Sequence, residues 1–336
     1  MNLLAALVAA SVRYRSAFVM SLILLLGAGA YAARTLPVDA VPDVSTIQVS
    51  VLTKATGLSP VEVERTVTIP MENGLNGVPG AVEMRSISRS GLSAVTLVFR
   101  DGTDIWFARQ LVLERLRGIA GDLPPTAETP ALAPVSSGLG EIFQIVVRSD
   151  LHTPMQLRTL LDWEIVPKLR SVPGVVEVNT MGGELKQYQV VVDRQRLRAQ
   201  HLTLQTVVSA LREANANAGG GYVDREGESY VLSGEGLLRD ETEIGDVVLA
   251  NPPDGAPVLV RHVADVRVGA ALRYGVITHA GRGEAVTGVV MMLLGENSRD
   301  VVRAVGERVK RVQRELPPGV TIDVVYDRAE FVERTL

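Results

Sequence analysis

Glu141 is the one side chain whose setting suggests contact with a cation. It follows Gly138-Leu139-Gly140 and opens an apolar run, so a carboxylate stands at the mouth of a strand. Hard and borderline divalent cations accept carboxylate oxygen. A single carboxylate is not a complete metal site, and a solvated Glu at a loop end is the plainer reading. The four histidines, His152, His201, His262 and His279, are never spaced as helical i, i+4 ligands, and no HExxH occurs. They read as surface or strand-edge residues. The eight methionines are scattered, which suits core packing better than a thioether copper site. There is no cysteine, so disulfides, thiolate metal sites and Cys nucleophiles are excluded. Gly219-Gly220-Gly221 lacks the Gly-Lys-Ser/Thr of a phosphate loop. Gly138-Leu139-Gly140 precedes a strand rather than a helix, so it is no dinucleotide fingerprint. No Ser-His-Asp arrangement stands out. The expectation is a protein that is not an enzyme, with no catalytic residue and no cofactor.

The elements around these residues are organised by a repeat. Val78-Pro79-Gly80-Ala81-Val82-Glu83-Met84 recurs as Val172-Pro173-Gly174-Val175-Val176-Glu177-Val178, and Pro317-Pro318-Gly319-Val320-Thr321 is a third relative. Each copy follows a helical pattern and precedes a strand pattern, because Pro and Gly cannot continue the helix. Strands rich in Val, Ile and Thr are expected at 45–53, 81–88, 94–99, 142–148, 175–180, 187–192, 285–294 and 321–326. Ser59-Pro60-Val61-Glu62 and Thr153-Pro154-Met155-Gln156 are capping boxes with Pro at the first helical position. A helix starting near Thr103 or Asp104 buries Ala108, Leu111, Val112, Leu116 and Ile119, and one over 298–314 buries Val301, Val302, Val305, Val309 and Val312.

The order is β-α-β-β-α from 44 to about 120. From 142 it is β-α-β, a long excursion, then β-α-β. The predicted class is α+β: ferredoxin-like, split βαβ units with an inserted α+β domain. Residues 123–140, with four prolines and two glycines, read as a linker. Residues 215–227 read as an exposed arm, either an ordinary surface loop or a hairpin that docks on another copy.

The chain has 336 residues, enough for several domains, and its net charge is −4. That balance, with 4% aromatics, argues against nucleic acid as a partner. The 46% hydrophobic content is concentrated at the start. Residues 17–33 carry no charge and approach the length of a membrane span. Arg13 and Arg15 precede the run and Arg34 follows it, which places the N-terminus in the cytoplasm and the chain after about residue 36 outside. Residues 1–12 fit a short interfacial helix. Ala30-Tyr31-Ala32 also matches a signal cleavage site, so a removed signal is the second reading of this segment. The small residues Gly27-Ala28-Gly29-Ala30 suit close packing against other spans.

The sequence LPVDAVPDVSTIQV (36–49) resembles the start of the periplasmic region in the heavy-metal efflux branch (cobalt-zinc-cadmium or copper-silver type) of the resistance-nodulation-division inner-membrane permeases. FRDGTDIWFARQLVLERL (99–116), PVSSGLGEIFQIVV (134–147), VPGVVEVNTMGGELKQYQVVVDRQRL (172–197) and YDRAEFVERTL (326–336) continue the resemblance collinearly along the chain.

The resemblance implies an interfacial helix at 1–12, a first transmembrane helix at 13–35 and a first pore subdomain at 36–133. It also implies a second pore subdomain split between 134–181 and 276–327, a docking subdomain at 182–275, and a lead-in to a second span at 328–336. It puts Glu141 at the edge of the substrate cleft, with a Glu there closer to the cobalt-zinc-cadmium type. It further implies a transported heavy-metal cation, a homotrimer in the inner membrane, and periplasmic adaptor and outer-membrane channel partners.

A family permease has twelve spans, and its proton-relaying carboxylates are expected on the fourth, beyond these residues. The resemblance therefore implies that residues 1–336 alone would not pump. Rival readings are a single-span periplasmic binding module, an inactive truncated product and, within the family, a drug efflux permease.

Overall fold

The computed structural model describes residues 13–35, 45–119, 121–225, 228–252, 255–273 and 275–330. The expected interfacial helix at 1–12, most of the 36–49 motif and residues 331–336 lie outside the described residues. The N-terminal apolar run forms one helix, α1 (Arg15–Thr35). At about 1.5 Å per residue its 21 residues reach across a hydrocarbon core. None of its apolar window, Arg15–Ala32, is buried against the other described residues.

The first unit contains β1 (Gln48–Lys54), a long helix α2 (60–75), β2 (Ala81–Arg89), β3 (Leu92–Phe99), α3 (Ile105–Ile119) and β4 (Ala131–Leu132). Its sheet runs β2-β3-β1-β4, antiparallel throughout. The second unit contains β5 (Glu141–Arg148), a long helix α4 (154–170) and β6 (Val175–Gly182), followed after an insertion by β13 (Val286–Met292), α9 (Ser298–Gln313) and β14 (Thr321–Asp327). Its sheet runs β14-β5-β13-β6, which is the same order unit for unit. This is the split βαβ arrangement built twice. Each sheet buries one face under two helices, and each has its own core, around Val51, Leu97 and Val112 in the first and Ile145, Leu161 and Val305 in the second. The segment read as a linker contributes β4. Its partner is β1, with Val51 opposite Leu132, so that stretch closes the first sheet before it leads away. Arg109 on α3 holds it there, donating to the Ala133 carbonyl at 2.7 Å, and burial lowers the guanidinium pKa.

The insertion contains β7 (Lys186–Val192), α5 (Arg194–Ala199), α6 (Leu204–Ala214), β8 (Ala218–Arg225), β9 (Glu228–Gly234), α7 (Glu241–Gly245), β10 (Val248–Ala250), β11 (Val258–Leu259), α8 (Val260–Val263) and β12 (Ala264–Ala270). β7 pairs with β12, and a third, smaller core gathers Val207, Leu249 and Val263. The arm expected at 215–227 is largely strand. β8 pairs with β9 in a two-stranded hairpin whose Tyr222, Tyr230 and Val231 are exposed.

The Pro-Gly repeat has one structural meaning. Gly80, Gly174 and Gly319 have φ of 82°, 85° and 83°. In each case the residue after Gly donates back three residues: Ala81 to Val78, Val175 to Val172 and Val320 to Pro317, at 3.1–3.2 Å. Pro then Gly with positive φ is the type II turn, and it is the device that swings each helix into a strand.

The two long helices share a feature with no counterpart in the expected pattern. α2 is continuous through Pro60–Val63, a π segment Glu64–Thr68 and Ile69–Leu75. α4 is continuous through Pro154–Leu160, a π segment Leu161–Ile165 and Val166–Arg170. Their buried stripes are Val63, Val67, Met71, Leu75 and Leu157, Leu161, Ile165, Leu169, each with a four-residue step. In an α-helix of 3.6 residues per turn, three such steps carry a stripe roughly 120° around the axis. A wider π turn takes up that drift and keeps the stripe on the core. It also spans the site where Pro70 and Pro167 offer no N–H: Ile69 and Val166 donate five residues back, to Glu64 and Leu161. The expected capping boxes are present at Ser59/Glu62 and Thr153/Gln156.

Two stability measurements test this framework by denaturant unfolding of the detergent-solubilised chain. Ser59→Ala should cost about 1 kcal/mol. Gly182→Ala should cost more, because Gly182 has φ of +78° and an added Cβ would lie 2.5 Å from the Ala285 carbonyl oxygen. A Gly182→Ala loss smaller than that of Ser59→Ala would contradict this packing. The Glu62 carboxyl has a lowered pKa, caused first by the Ser59 hydroxyl and then by the Ser59 amide. A carboxylate depressed in the fold contributes above its ordinary pKa of about 4.3 and loses that contribution as pH falls through the lowered value. The stability gap between wild type and Glu62→Gln should therefore be present at neutral pH and shrink on acidification.

Candidate functional site

Glu141 is the first residue of β5 and is exposed. The chain reaches it through a tight turn over 137–140. Gly140 donates its amide to the Ser137 carbonyl at 2.9 Å, and the Leu139 amide donates to Ser137 Oγ at 3.2 Å. A side chain at Gly140 would meet Ser137 O at 3.0 Å and Ser136 Cβ at 3.1 Å, so only glycine fits without displacing the turn. Two distant elements clamp the turn. The Met292 amide donates to the Gly140 carbonyl at 2.8 Å. Arg328, only 6% exposed, donates Nη1 to the Leu139 carbonyl across 189 residues of chain. Arg328 is itself fixed at the end of β14, where Asp327 Oδ1 accepts from the Ala329 and Glu330 amides at 2.8 and 3.3 Å.

A bulge in β5 sets what lies beside Glu141. Phe143 pairs with Val290, and the register then shifts so that Glu141 pairs with Met291. On its other side Met291 pairs with Glu177 of β6. Directly opposed residues share a sheet face. The row is therefore carboxylate, thioether, carboxylate. Met291 Cε lies beside the turn, 3.4 Å from where a Cβ on Gly140 would stand. Among the described residues Glu141 itself holds only a marginal hydrogen bond, 3.5 Å from Gln144 Nε2.

The other residues weighed for chemistry are dispersed. His152 Nδ1 pairs with Ser149 Oγ at 3.0 Å, and His262 Nδ1 accepts from the Leu259 amide at 3.1 Å. His201 takes a positive φ of 52° in a turn. Met71 is a buried core residue and Met84 and Met292 pack at core edges, whereas Met181 is exposed. Among the described residues no three His, Cys, Asp or Glu side chains gather into a metal-sized group. Arg328 and Glu177 have no marker in the sequence. Cross-strand register and a contact over 189 residues bring them to Glu141, and local spacing carries neither.

Arg328→Ala should destabilise the second unit by several-fold more than Glu141→Ala, since the first strips a buried guanidinium from the turn and the second trims an exposed side chain. Exposed substitutions of the latter kind fall within about 0.5 kcal/mol. Chemical denaturation of both variants checks this, and equal effects would show that Arg328 does not hold the turn.

Comparison with known proteins places this arrangement. The AcrB/AcrD/AcrF family model matches residues 7–336. The chain is 43% identical over 321 residues to the cation efflux system protein CzcA of Alcaligenes sp. strain CT14, covering 93% of this chain and 30% of that protein. It is 37% identical over 328 residues to the cation efflux system protein CusA of Escherichia coli K12, covering 97% of this chain and 31% of that protein. A crystal structure of a heavy metal efflux pump superposes with a TM-score of 0.88 at 33% identity, over 97% of this chain and 32% of that one. The chain thus spans about a third of the length of these relatives. A match along nearly all of the sequence, together with a backbone superposing over the same extent, shows that the chain belongs to the AcrB/AcrD/AcrF family and, within it, to the heavy-metal efflux permeases of the resistance-nodulation-division type.

Proposed function

We propose that these residues form the N-terminal part of a proton-driven heavy-metal cation efflux permease and supply its periplasmic pore and docking domains. The observation that carries this reading is the superposition on a heavy metal efflux pump over 97% of the chain. In this reading α1 crosses the inner membrane with its N-terminus in the cytoplasm. The ferredoxin-like units at 36–133 and at 134–181 with 276–327 are the two pore subdomains. The insertion at 182–275 is the docking subdomain. The permease works as a homotrimer with a periplasmic adaptor and an outer-membrane channel, and protons crossing elsewhere in the complete protein drive export. This part has no enzymatic role and needs no cofactor.

The hairpin of β8 and β9 supports the trimer. An isolated two-stranded hairpin is marginal in water. Tyr222 (76% exposed) and Val231 (70%) form a cross-strand apolar pair that the described residues leave open to solvent. A neighbouring copy is the natural cover in an oligomer.

Glu141 is the proposed contact for the transported cation, at the rim of the cleft, with Met291 and Glu177 in the same row. A lone carboxylate needs oxygen or nitrogen partners from elsewhere to complete a divalent coordination shell. The test is a metal-sensitive strain carrying the complete permease, assayed for growth on cobalt, zinc and cadmium. Glu141→Ala should lower tolerance about tenfold or more while protein level stays constant, a size in keeping with loss of one charged ligand. Unchanged tolerance to all three metals would remove Glu141 from the transport path. Protease added outside spheroplasts should cleave within residues 36–330; cleavage only from the cytoplasmic side would refute the topology.

A further inference from the structure

The insertion leaves the second unit after Gly182 and returns at β13, and the two crossing chains are stitched together. Arg158 on α4 donates Nε to Asp162 at 2.7 Å, Nη1 to the Gly182 carbonyl at 2.8 Å and Nη2 to Thr180 Oγ1 at 2.7 Å. Gly183 is pressed against the same helix, since a Cβ there would lie 2.9 Å from the Pro154 carbonyl oxygen. Further out, Arg273 on the returning chain reaches both strands of the neck. Its Nη1 lies 3.3 Å from Glu184 Oε1 on the outgoing chain, and its Nη2 is bonded to Glu284 Oε1 just before β13. All three side chains are at least two-thirds covered. Backbone bonds run alongside, from Ala271 to Leu185 and from Ala285 to Ile277, each at 2.9 Å.

A flexible interdomain connection is polar, exposed and crossed by few contacts. This neck is polar too, but it is covered and crossed by several contacts. We propose that Arg273 is a positioning residue that locks it, so that the insertion and the second unit move as one rigid body and a tilt of one is conveyed to the other. The chemistry is specific to arginine. A planar fork can hold two carboxylates at once, whereas a lysine ammonium is a point charge on a flexible stem. Without the guanidinium, Glu184 and Glu284 would face each other as like charges in partial burial. The proposal stands on the geometry of the neck alone and survives or fails independently of any transport role.

The absence of cysteine makes the test direct. Ala304→Cys on α9 and Glu213→Cys on α6 are exposed positions in the second unit and the insertion. Spin labels at both, in the detergent-solubilised chain, report the distance between the two bodies by double electron–electron resonance. The parent should give one narrow distribution. Arg273→Ala should broaden it by about twofold or more, as expected once a flexible connection replaces a fixed one. The triple variant Arg273→Ala/Glu184→Gln/Glu284→Gln lacks both the clamp and the repulsion, and should broaden it likewise even if the single variant fails to fold. A broad parent distribution, or a triple variant as narrow as the parent, would overturn the proposal. So would equal broadening by Arg239→Ala, which breaks only the exposed pair with Glu235.

Discussion

Everything downstream in each unit takes its register from a helix that must stop, turn and enter a sheet within a few residues. Gly80, Gly174 and Gly319 make that turn at positive φ. A residue with a Cβ would strain the backbone there. At Gly174 it would also drive into Val301, whose Cγ2 lies 2.5 Å from the added atom. A strand shifted by one residue presents its other face to the core. The turns therefore decide which side chains of β2, β6 and β14 are buried, and with them where Glu177 stands relative to Met291 and Glu141.

The helices that feed two of these turns obey a second constraint. A stripe with a four-residue step and an internal proline does not suit a plain α-helix. One π segment settles both problems in α2, and another does so in α4. The recurrence of this solution in both units, with the same strand order, describes one supersecondary plan used twice. The units differ at the β2–β3 and β6–β13 connections. The first is a short turn, and the second is opened to admit more than ninety residues that carry their own small core.

The family relationship covers these parts together, since the superposition on a heavy metal efflux pump extends over 97% of the chain. In the second unit the approach to Glu141 is tied to distant parts of the chain. Its outer sheet face carries the Glu141 row, and the turn ahead of Glu141 is held by a buried arginine rather than left loose.

The sequence by itself was enough for β7 and the strands of the two units other than β4, for the capped starts of α2 and α4, for the split βαβ plan, the apolar N-terminal helix and the family. These follow from local periodicity, cap chemistry and long collinear motifs, which neighbouring residues encode. It also marked Glu141 as the carboxylate to consider. Three features were beyond its reach. Residues 123–140 read as a linker because two-residue β4 is too short to show a period, and only pairing with β1 makes it a strand. The π segments were hidden because a four-residue step reads as an ordinary helical stripe until it must stay on one core. Arg328, Glu177 and Arg273 were silent because each acts on a partner far along the chain or across a sheet, at Leu139, Met291 and Glu184. Such contacts are set by which surfaces meet when the sheets close, and no local pattern of residue types specifies that meeting.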